Sequence, residues 1–333
     1  LMRKSAPLTG AFIFAGLCLL APWPQPGWAL ESQLFESESI IDARLVGPIR
    51  EVFADTEERK YREFMLDAGG VRLPVEVRVR GHSRVRVCDF PPLKLSFPRD
   101  EADSSVFDGQ HKLKLVTHCN NHDRGEQNLL EEYAAYRIYE QLTPVSYRTR
   151  LLHIEYEDTD GGLPPGASPR YAFVIESIEK LAARVGAEPA VLEGLPKHRH
   201  DLQLAALVYI YQYLIGNTDY MLLRADGETG CCQNIDLLET NGTVLMVPFD
   251  FDLSGLVNAR YAFPDRTLRI DRVTLRLYRG LCMDLALVGE ALATIRAREP
   301  AIRSSLAGVP KLDEKNAQTA QKFLDRFFAC LLY

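Results

Sequence analysis

The sequence lacks any apolar run of the ~18 residues that a bilayer-spanning helix needs. It also lacks an excess of basic residues: 39 Lys and Arg stand against 45 Asp and Glu, so no sequence-wide positive field indicates nucleic acid as a partner. No CxxC pair occurs, which argues against a zinc ribbon. The 333 residues, 47% of them hydrophobic, are enough for one large domain or two closely packed lobes.

The N-terminal segment has the layout of a secretory signal peptide. Arg3 and Lys4 precede an apolar run at residues 11–21, and a Pro/Gly-rich stretch then ends at Ala29. A membrane anchor is the alternative, but the short run favours cleavage. We therefore expect residues 1–29 to be a signal peptide. The mature protein is then exported to the periplasm or the outside of the cell, with no stable membrane span.

Six cysteines lie beyond the predicted signal peptide, and in an exported chain they can form disulfides. Cys88 and Cys119 lie on adjacent predicted strand segments and are the expected pair, with buried free thiols as the alternative. Cys231 and Cys232 are neighbours in the chain. They can bond to each other only with unusual backbone geometry.

The first half of the chain is rich in strand patterns. Residues 64–79 predict a hairpin, because apolar and charged residues alternate after Gly69-Gly70. Two more alternating strands follow at residues 91–97 and 107–116, and residues 127–142 have helical spacing. We expect an α+β protein with a β-rich N-terminal lobe at residues 30–176 and a mostly helical C-terminal lobe at residues 177–333.

In the C-terminal half of the sequence, several polar residues lie beside apolar runs. Residues 201–215 predict a helix that is buried on all sides and ends at Gly216, just before Asp219. Asn241-Gly242 predicts a tight hairpin turn, so Asn234 at one end should lie close to Asp250 at the other. Residues 268–298 and 316–332 are predicted as C-terminal helices.

Asp219, Asn234 and Asp250 together indicate a metal–phosphate site. A carboxylate beside an apolar run is costly unless a metal ion or a hydrogen-bond donor compensates it. Oxygen donors of this kind suit Mg²⁺ and phosphate. Asp252 would support the site or bind a second ion. Capping and turn formation are the alternative roles. A zinc site is a further alternative, and the four histidines that could form it are His118, His122, His198 and His200.

Five motifs resemble the CotH-type spore-coat protein kinase family: RGHSR at residues 80–84, PPLKLSF at 91–97, GNTDY at 216–220, QN at 233–234 and PFDFDLSG at 248–255. The family has an atypical, bilobal kinase-like fold. The resemblance implies that Asp219 is the catalytic aspartate and that Asn234 and Asp250 bind the metal. His82 departs from the family pattern, which has Asn at that position.

The resemblance and the order of elements also imply the nucleotide contacts. Lys114, or else Lys112, is placed like a phosphate-binding lysine whose partner is a glutamate of the following helix, Glu131 or Glu132. Lys94 is the rival lysine, and Arg80 lies in the polar turn. A lysine on the polar face of a strand is, however, often only solvated.

The expected activity is transfer of the γ-phosphoryl group of ATP to a Ser or Thr hydroxyl of a protein, with Mg²⁺ or Mn²⁺. Nucleic acid is not an expected partner. Two alternatives remain: a non-catalytic binding or scaffold protein of the cell envelope, and a metal-dependent phosphohydrolase built on Asp219, Asp250 and Asp252.

Overall fold

The computed structural model describes residues 33–98, 101–103, 105–195, 198–222 and 231–331. The predicted signal peptide at residues 1–29 lies outside these ranges. Within them, no helix combines the length and the apolar character that crossing a membrane requires.

Most of the strands in the described chain belong to one sheet. Its strands are β1 (Ile41–Gly47), β2 (Arg62–Ala68), β3 (Val71–Val79), β4 (Leu93–Ser96), β5 (Lys112–Val116), β6 (Thr149–Asp158) and β7 (Arg170–Ile175). They close into a barrel in the order β1-β2-β3-β4-β5-β7-β6. Neighbours are antiparallel except β1 and β6, which run parallel and complete the ring.

Alternating side chains explain how these strands close around a core. In β3, Val75, Val77 and Val79 are buried, while the intervening Glu76 and Arg78 are partly exposed. Gly69 and Gly70 both have positive φ, at 59° and 80°, which is the backbone that a two-residue turn between twisted strands requires. The inward apolar residues of all seven strands form one hydrophobic cluster.

The prediction of a bilobal kinase-like fold is wrong, although the α+β class is correct. The strands of the first half close into a mixed barrel, and a second sheet lies in the second half. Closure depends on β1 pairing with β6, more than 100 residues later in the chain. Alternation within a strand predicts that one face is buried, but it carries no information about which strand lies at the sheet edge.

The remaining elements of the described chain are eight helices and a three-stranded sheet. The helices are α1 (Ile49–Ala54), α2 (Arg84–Val87), α3 (Asp123–Glu140), α4 (Ile178–Val185), α5 (Leu202–Ile215), α6 (Leu285–Ala297), α7 (Glu299–Ala307) and α8 (Glu314–Cys330). The sheet has the order β10-β9-β8, from β8 (Glu188–Ala190), β9 (Ile235–Thr240) and β10 (Thr243–Pro248). Short 3-10 turns cover Gln33–Phe35 and Arg266–Leu268.

Helix α5 is buried on nearly all sides, as its apolar sequence predicts. Helix α3 packs beside it, and Tyr211 of α5 donates a hydrogen bond to the carbonyl of Ala135 at 2.7 Å. The predicted helix at residues 268–298 is shorter than expected. It begins only at Leu285, where Asp284 caps it by accepting from the Ala286 N–H at 2.8 Å.

The predicted pairing of Cys88 with Cys119 is present as a disulfide. It ties the residue after α2 to the chain beyond β5. Cys231 and Cys232 are also bonded to each other, across a cis peptide. In the described part of the chain Cys282 and Cys330 are free and exposed.

Candidate functional site

The end of α5 holds Asp219 in a fixed turn. Gly216 ends the helix in the left-handed conformation, with φ of 66°. Asn217 is buried; its amide nitrogen donates to Gln212 at 3.0 Å, and its Oδ1 accepts from the Asp219 N–H at 2.9 Å. Asn217 therefore orders the turn, and Asp219 points away from the helix toward other partners.

The Asp219 carboxylate accepts two side-chain hydrogen bonds. Gln233 donates to its Oδ1 at 2.9 Å, and Asn234 donates to its Oδ2 at 2.9 Å. Burial, followed by the negative charge of Asp250, raises the pKa of Asp219 to about 6, although both amide donors oppose the shift. A carboxyl group with that pKa can accept a proton near neutral pH.

The hairpin of β9 and β10 brings Asn234 and Asp250 together, as the Asn241-Gly242 turn predicts. Pro248 pairs with Ile235 at the open end, and the Phe249 N–H donates to the Asn234 carbonyl at 3.1 Å. Asn234 and Asp250 both have positive φ, at 54° and 62°, a conformation in which Asn and Asp are enriched. Asn234 and Asp250 therefore lie side by side at the open end of the hairpin.

Asp250 and Asp252 form an acidic cluster with Glu132 of α3. Within the described residues, oxygen atoms of these three side chains lie within 4.8 Å of one another, and no histidine belongs to such a group. Arg84 of α2 contacts all three. Its Nε is 3.1 Å from Asp252, its Nη1 is 3.2 Å from Glu132, and its Nη2 is bonded to Asp250.

The members of this cluster have divergent pKa values. Burial works against the charge on Arg84, but Asp250, Asp252 and Glu132 outweigh it and hold the pKa of Arg84 well above its usual range. Burial likewise opposes the charge on Asp250, yet the neighbouring arginines lower its pKa. Burial raises the pKa of both Asp252 and Glu132. Asp250 is therefore the carboxylate that most strongly retains its negative charge.

A row of cations crosses the barrel beside this cluster. Arg78 of β3 lies opposite Lys94 of β4, which lies opposite Lys114 of β5. Burial, and then the charges of Arg78, Lys112 and Lys114, lower the pKa of Lys94. Like charges directly opposite each other destabilise a sheet.

Within the described residues, Lys94 and Arg78 of this row have few partners for their positive charges and hydrogen-bond donors. Lys94 makes no ion pair with any described residue. The Nε of Arg78 is buried without a hydrogen-bond partner in the same part of the chain. Such a row is suited to an anionic ligand, which would satisfy these donors and separate their charges.

Lys114 connects the cation row to the acidic residues. Its Nζ is 3.7 Å from Asp236 and lies 4.2 Å from the centre of the Phe249 ring. Burial lowers the pKa of Lys114, while Asp236 and Asp250 oppose the shift. The charge of Asp250 also acts on the nearby Arg80, whose pKa is lowered by burial. Cations and carboxylates therefore share one boundary between the barrel and the hairpin.

The glutamate partner expected for Lys114 lies elsewhere. Glu132 pairs with Arg84, and Glu131 is 3.1 Å from Arg124. Sequence reasoning assigned no role to Arg84, although it stands in the quoted RGHSR motif, and none to Arg78. The alternation of β3 and β4 predicts that Arg78 and Lys94 lie on the polar faces of their strands, but their pairing, and the position of Arg84 in the cluster, are decided by tertiary packing.

Comparison of the sequence with models of protein families finds no match, and comparison with curated proteins finds no significant similarity.

Proposed function

We propose that the chain is a Mg²⁺-dependent phosphotransferase that moves the γ-phosphoryl group of ATP to a hydroxyl group of a protein. One observation carries this proposal: the cations of β3, β4 and β5, among which Lys94 has no ion pair with any described residue, border the carboxylate cluster of Glu132, Asp250 and Asp252. Phosphoryl transfer needs this pairing, because cations position the phosphates while carboxylates hold the metal. The motifs that resemble the CotH-type family support the same roles for Asp219, Asn234 and Asp250, and membership of that family is part of the proposal.

The donor set fits a hard divalent cation. Asp250, Asp252 and Glu132 offer carboxylate oxygens within 4.8 Å of one another. Asn234 uses its amide nitrogen on Asp219, and its Oδ1 makes no hydrogen bond within the described residues. Asp250 and Asn234, with Asp252 beside them, would hold the ion, and Mg²⁺ when bound would neutralise charge on the phosphates.

The protein's own groups would perform the other tasks. Asp219 is held in place by Gln233 and Asn234, and it would orient the attacking hydroxyl and accept its proton. Lys94 and Lys114, with Arg80, would bind the phosphate oxygens from the barrel side. Positioning and charge neutralisation supply most of the acceleration in this class of reaction.

A non-catalytic binding protein is the second candidate, and Arg84 is the observation that favours it. A single guanidinium already pairs with all three members of the acidic cluster. A buried ion cluster satisfied in this way can serve structure alone. This candidate predicts that ATP and Mg²⁺ neither bind nor react.

The decisive experiment measures transfer of labelled γ-phosphate from ATP to the protein itself and to casein, with and without Mg²⁺. We expect label with the wild type and at least a 100-fold loss in Asp219→Asn and Asp250→Asn. Asp271→Asn is the matched control, because Asp271 is exposed and outside the cluster. Equal labelling in all four proteins, or none in any, contradicts the proposal. Release of phosphate from p-nitrophenyl phosphate without nucleotide would instead indicate a hydrolase.

A further inference from the structure

A cavity of about 980 Å³ lies among α5, α6, α8 and the segment before α6. Its walls are apolar, and the residues that define them are Ile210, Leu277, Met283, Val288, Leu292 and Phe327. None of the residues at the acidic cluster or the cation row lines it. The volume is at the upper end of the range for pockets that bind small molecules.

The mouth of this cavity exposes large apolar side chains. Leu285 is 85% exposed, and Tyr278 and Leu275 are 40% and 38% exposed. Water-facing apolar groups concentrated around one cavity indicate a ligand-binding surface. The walls alone do not identify the ligand.

The charges at the cavity narrow the chemistry of the ligand. The chain as a whole is acidic, with a net charge of −6, yet the charged residues among the described lining are Arg276 and Arg326. Arg326 is exposed and makes no ion pair with any described residue. Its guanidinium lies 5.3 Å from the centre of the Phe323 ring. Two cations with apolar walls suit an anionic head joined to an apolar chain.

Arg276 is partly satisfied by the backbone. Its Nε donates to the Tyr213 carbonyl at 3.1 Å, and its Nη2 donates to the carbonyls of Leu214 and Phe323. Its Nη1 makes no hydrogen bond within the described residues. The guanidinium groups of Arg276 and Arg326 lie 3.8 Å and 5.3 Å from the centre of the same Phe323 ring. Burial, and then the charge of Arg326, lower the pKa of Arg276 to about 10. An anion between them would relieve that repulsion.

We propose that this cavity binds a free long-chain fatty acid, with the chain among α5, α6 and α8 and the carboxylate at Arg326 and the Nη1 of Arg276. A single acyl chain is apolar like the walls of this cavity, and its one negative charge matches the unpaired cation of Arg326. The proposal is independent of the phosphotransferase proposal, because the two sites share no residue.

The test is calorimetric titration of the full chain with dodecanoate below its micelle concentration. We expect binding that tightens about fourfold for each added CH₂ group along a series of chain lengths. Arg326→Glu should weaken dodecanoate binding at least tenfold. Lys322→Glu is the matched control, since it makes the same charge change on the same exposed side of α8 without lining the cavity; it should stay within twofold of wild type.

Two further measurements distinguish a fatty acid from other occupants of the cavity. Dodecanoate should slow alkylation of Cys282 and Cys330, which line the cavity and are exposed. Dodecanol should bind at least tenfold more weakly than dodecanoate. Equal binding of the alcohol, equal losses in Arg326→Glu and Lys322→Glu, or absence of binding would overturn the proposal. So would a concentration-dependent dimer that Arg326→Glu abolishes, because a second copy would then cover the cavity.

Discussion

Asp219 and Asp250 have pKa values shifted in opposite directions by their surroundings. Burial and the charge of Asp250 raise the pKa of Asp219 to about 6, whereas Arg84 and Arg80 outweigh burial and lower the pKa of Asp250. A pair of carboxyl groups separated in this way can divide two tasks, proton acceptance and permanent negative charge. For this reason we propose that Asp219 accepts the proton of the attacking hydroxyl and that Asp250 binds the metal ion.

The raised pKa of Asp219 predicts a specific pH dependence of stability. A protonated Asp219 stabilises the folded state below about pH 4, and this stabilisation is lost as the pH rises through about 6. The asparagine of Asp219→Asn does not titrate, so the stability of this variant lacks the pH dependence that Asp219 causes. The free energy of unfolding of Asp219→Asn relative to wild type should therefore rise by about 2 kcal/mol between pH 4 and pH 7. Urea unfolding across that range measures it.

Asp271→Asn serves as the control for this experiment and should follow the wild type at every pH, since Asp271 is exposed. A constant difference between wild type and Asp219→Asn across the range would mean that Asp219 keeps an ordinary pKa. The role of Asp219 as a proton acceptor near neutral pH would then lose its basis.

The contact between the turn after α5 and the segment after β10 joins the two halves of the site. The Gly255 N–H donates to the Gly216 carbonyl at 3.0 Å, and the Leu256 N–H donates to Ile215 at 3.0 Å. Neither glycine has room for a side chain. A Cβ on Gly255 would lie 2.5 Å from the Val273 carbonyl, and one on Gly216 would lie 2.8 Å from the Phe323 ring.

Gly255→Ala should therefore destabilise the protein by about 2 kcal/mol, through the clash with a backbone oxygen that cannot move aside easily. It should also reduce phosphoryl transfer, because it displaces Asp250 and Asp252 from Asp219. Thermal unfolding and the labelling assay measure the two effects.

Gly289→Ala is the matched control for this substitution. Gly289 lies inside α6 with open space around its Cβ position, so alanine there should stabilise by about 0.5–1 kcal/mol. If Gly255→Ala behaves like Gly289→Ala, the close approach of the two motifs does not hold the site together.

At the scale of the whole molecule, the site draws on three separate parts of the chain. The barrel supplies Lys94 and Lys114, α3 supplies Glu132, and the second half supplies Asp219 and Asp250. A ligand at this boundary would contact all three parts at once. Ligand binding should then stabilise the folded protein as a unit.

ATP and Mg²⁺ together should raise the melting temperature, and at about 100 times the dissociation constant the gain in stability is about 2.7 kcal/mol. A chelator added to the same sample should return the melting temperature toward that of the free protein. Asp250→Asn should show a smaller rise than Asp271→Asn. A flat titration in the wild type favours the non-catalytic candidate.

Much of the local structure could be predicted from the sequence. Alternation in residues 71–79 predicted a half-buried strand, and Asn241-Gly242 predicted the hairpin that brings Asn234 beside Asp250. The buried character of α5 followed from its apolar composition. The extent of the helix predicted at residues 268–298 was overestimated, because α6 begins only after the Asp284 cap, whereas the helix predicted at 316–332 is present as α8. Local hydrogen bonds and side-chain periodicity decide these features, and both can be read from neighbouring residues.

The sequence by itself determined the strands, the tight turns, the buried helix and the identity of the polar residues that lie beside apolar runs. Only the tertiary structure decided that the first sheet closes into a barrel, that Arg84 enters the acidic cluster, and that two arginines share an apolar cavity. Arg84 and Asp250 are 166 positions apart. The physical reason is distance along the chain: a periodic pattern reports which face of an element is buried, whereas the partner of that face is chosen by the packing of the whole molecule.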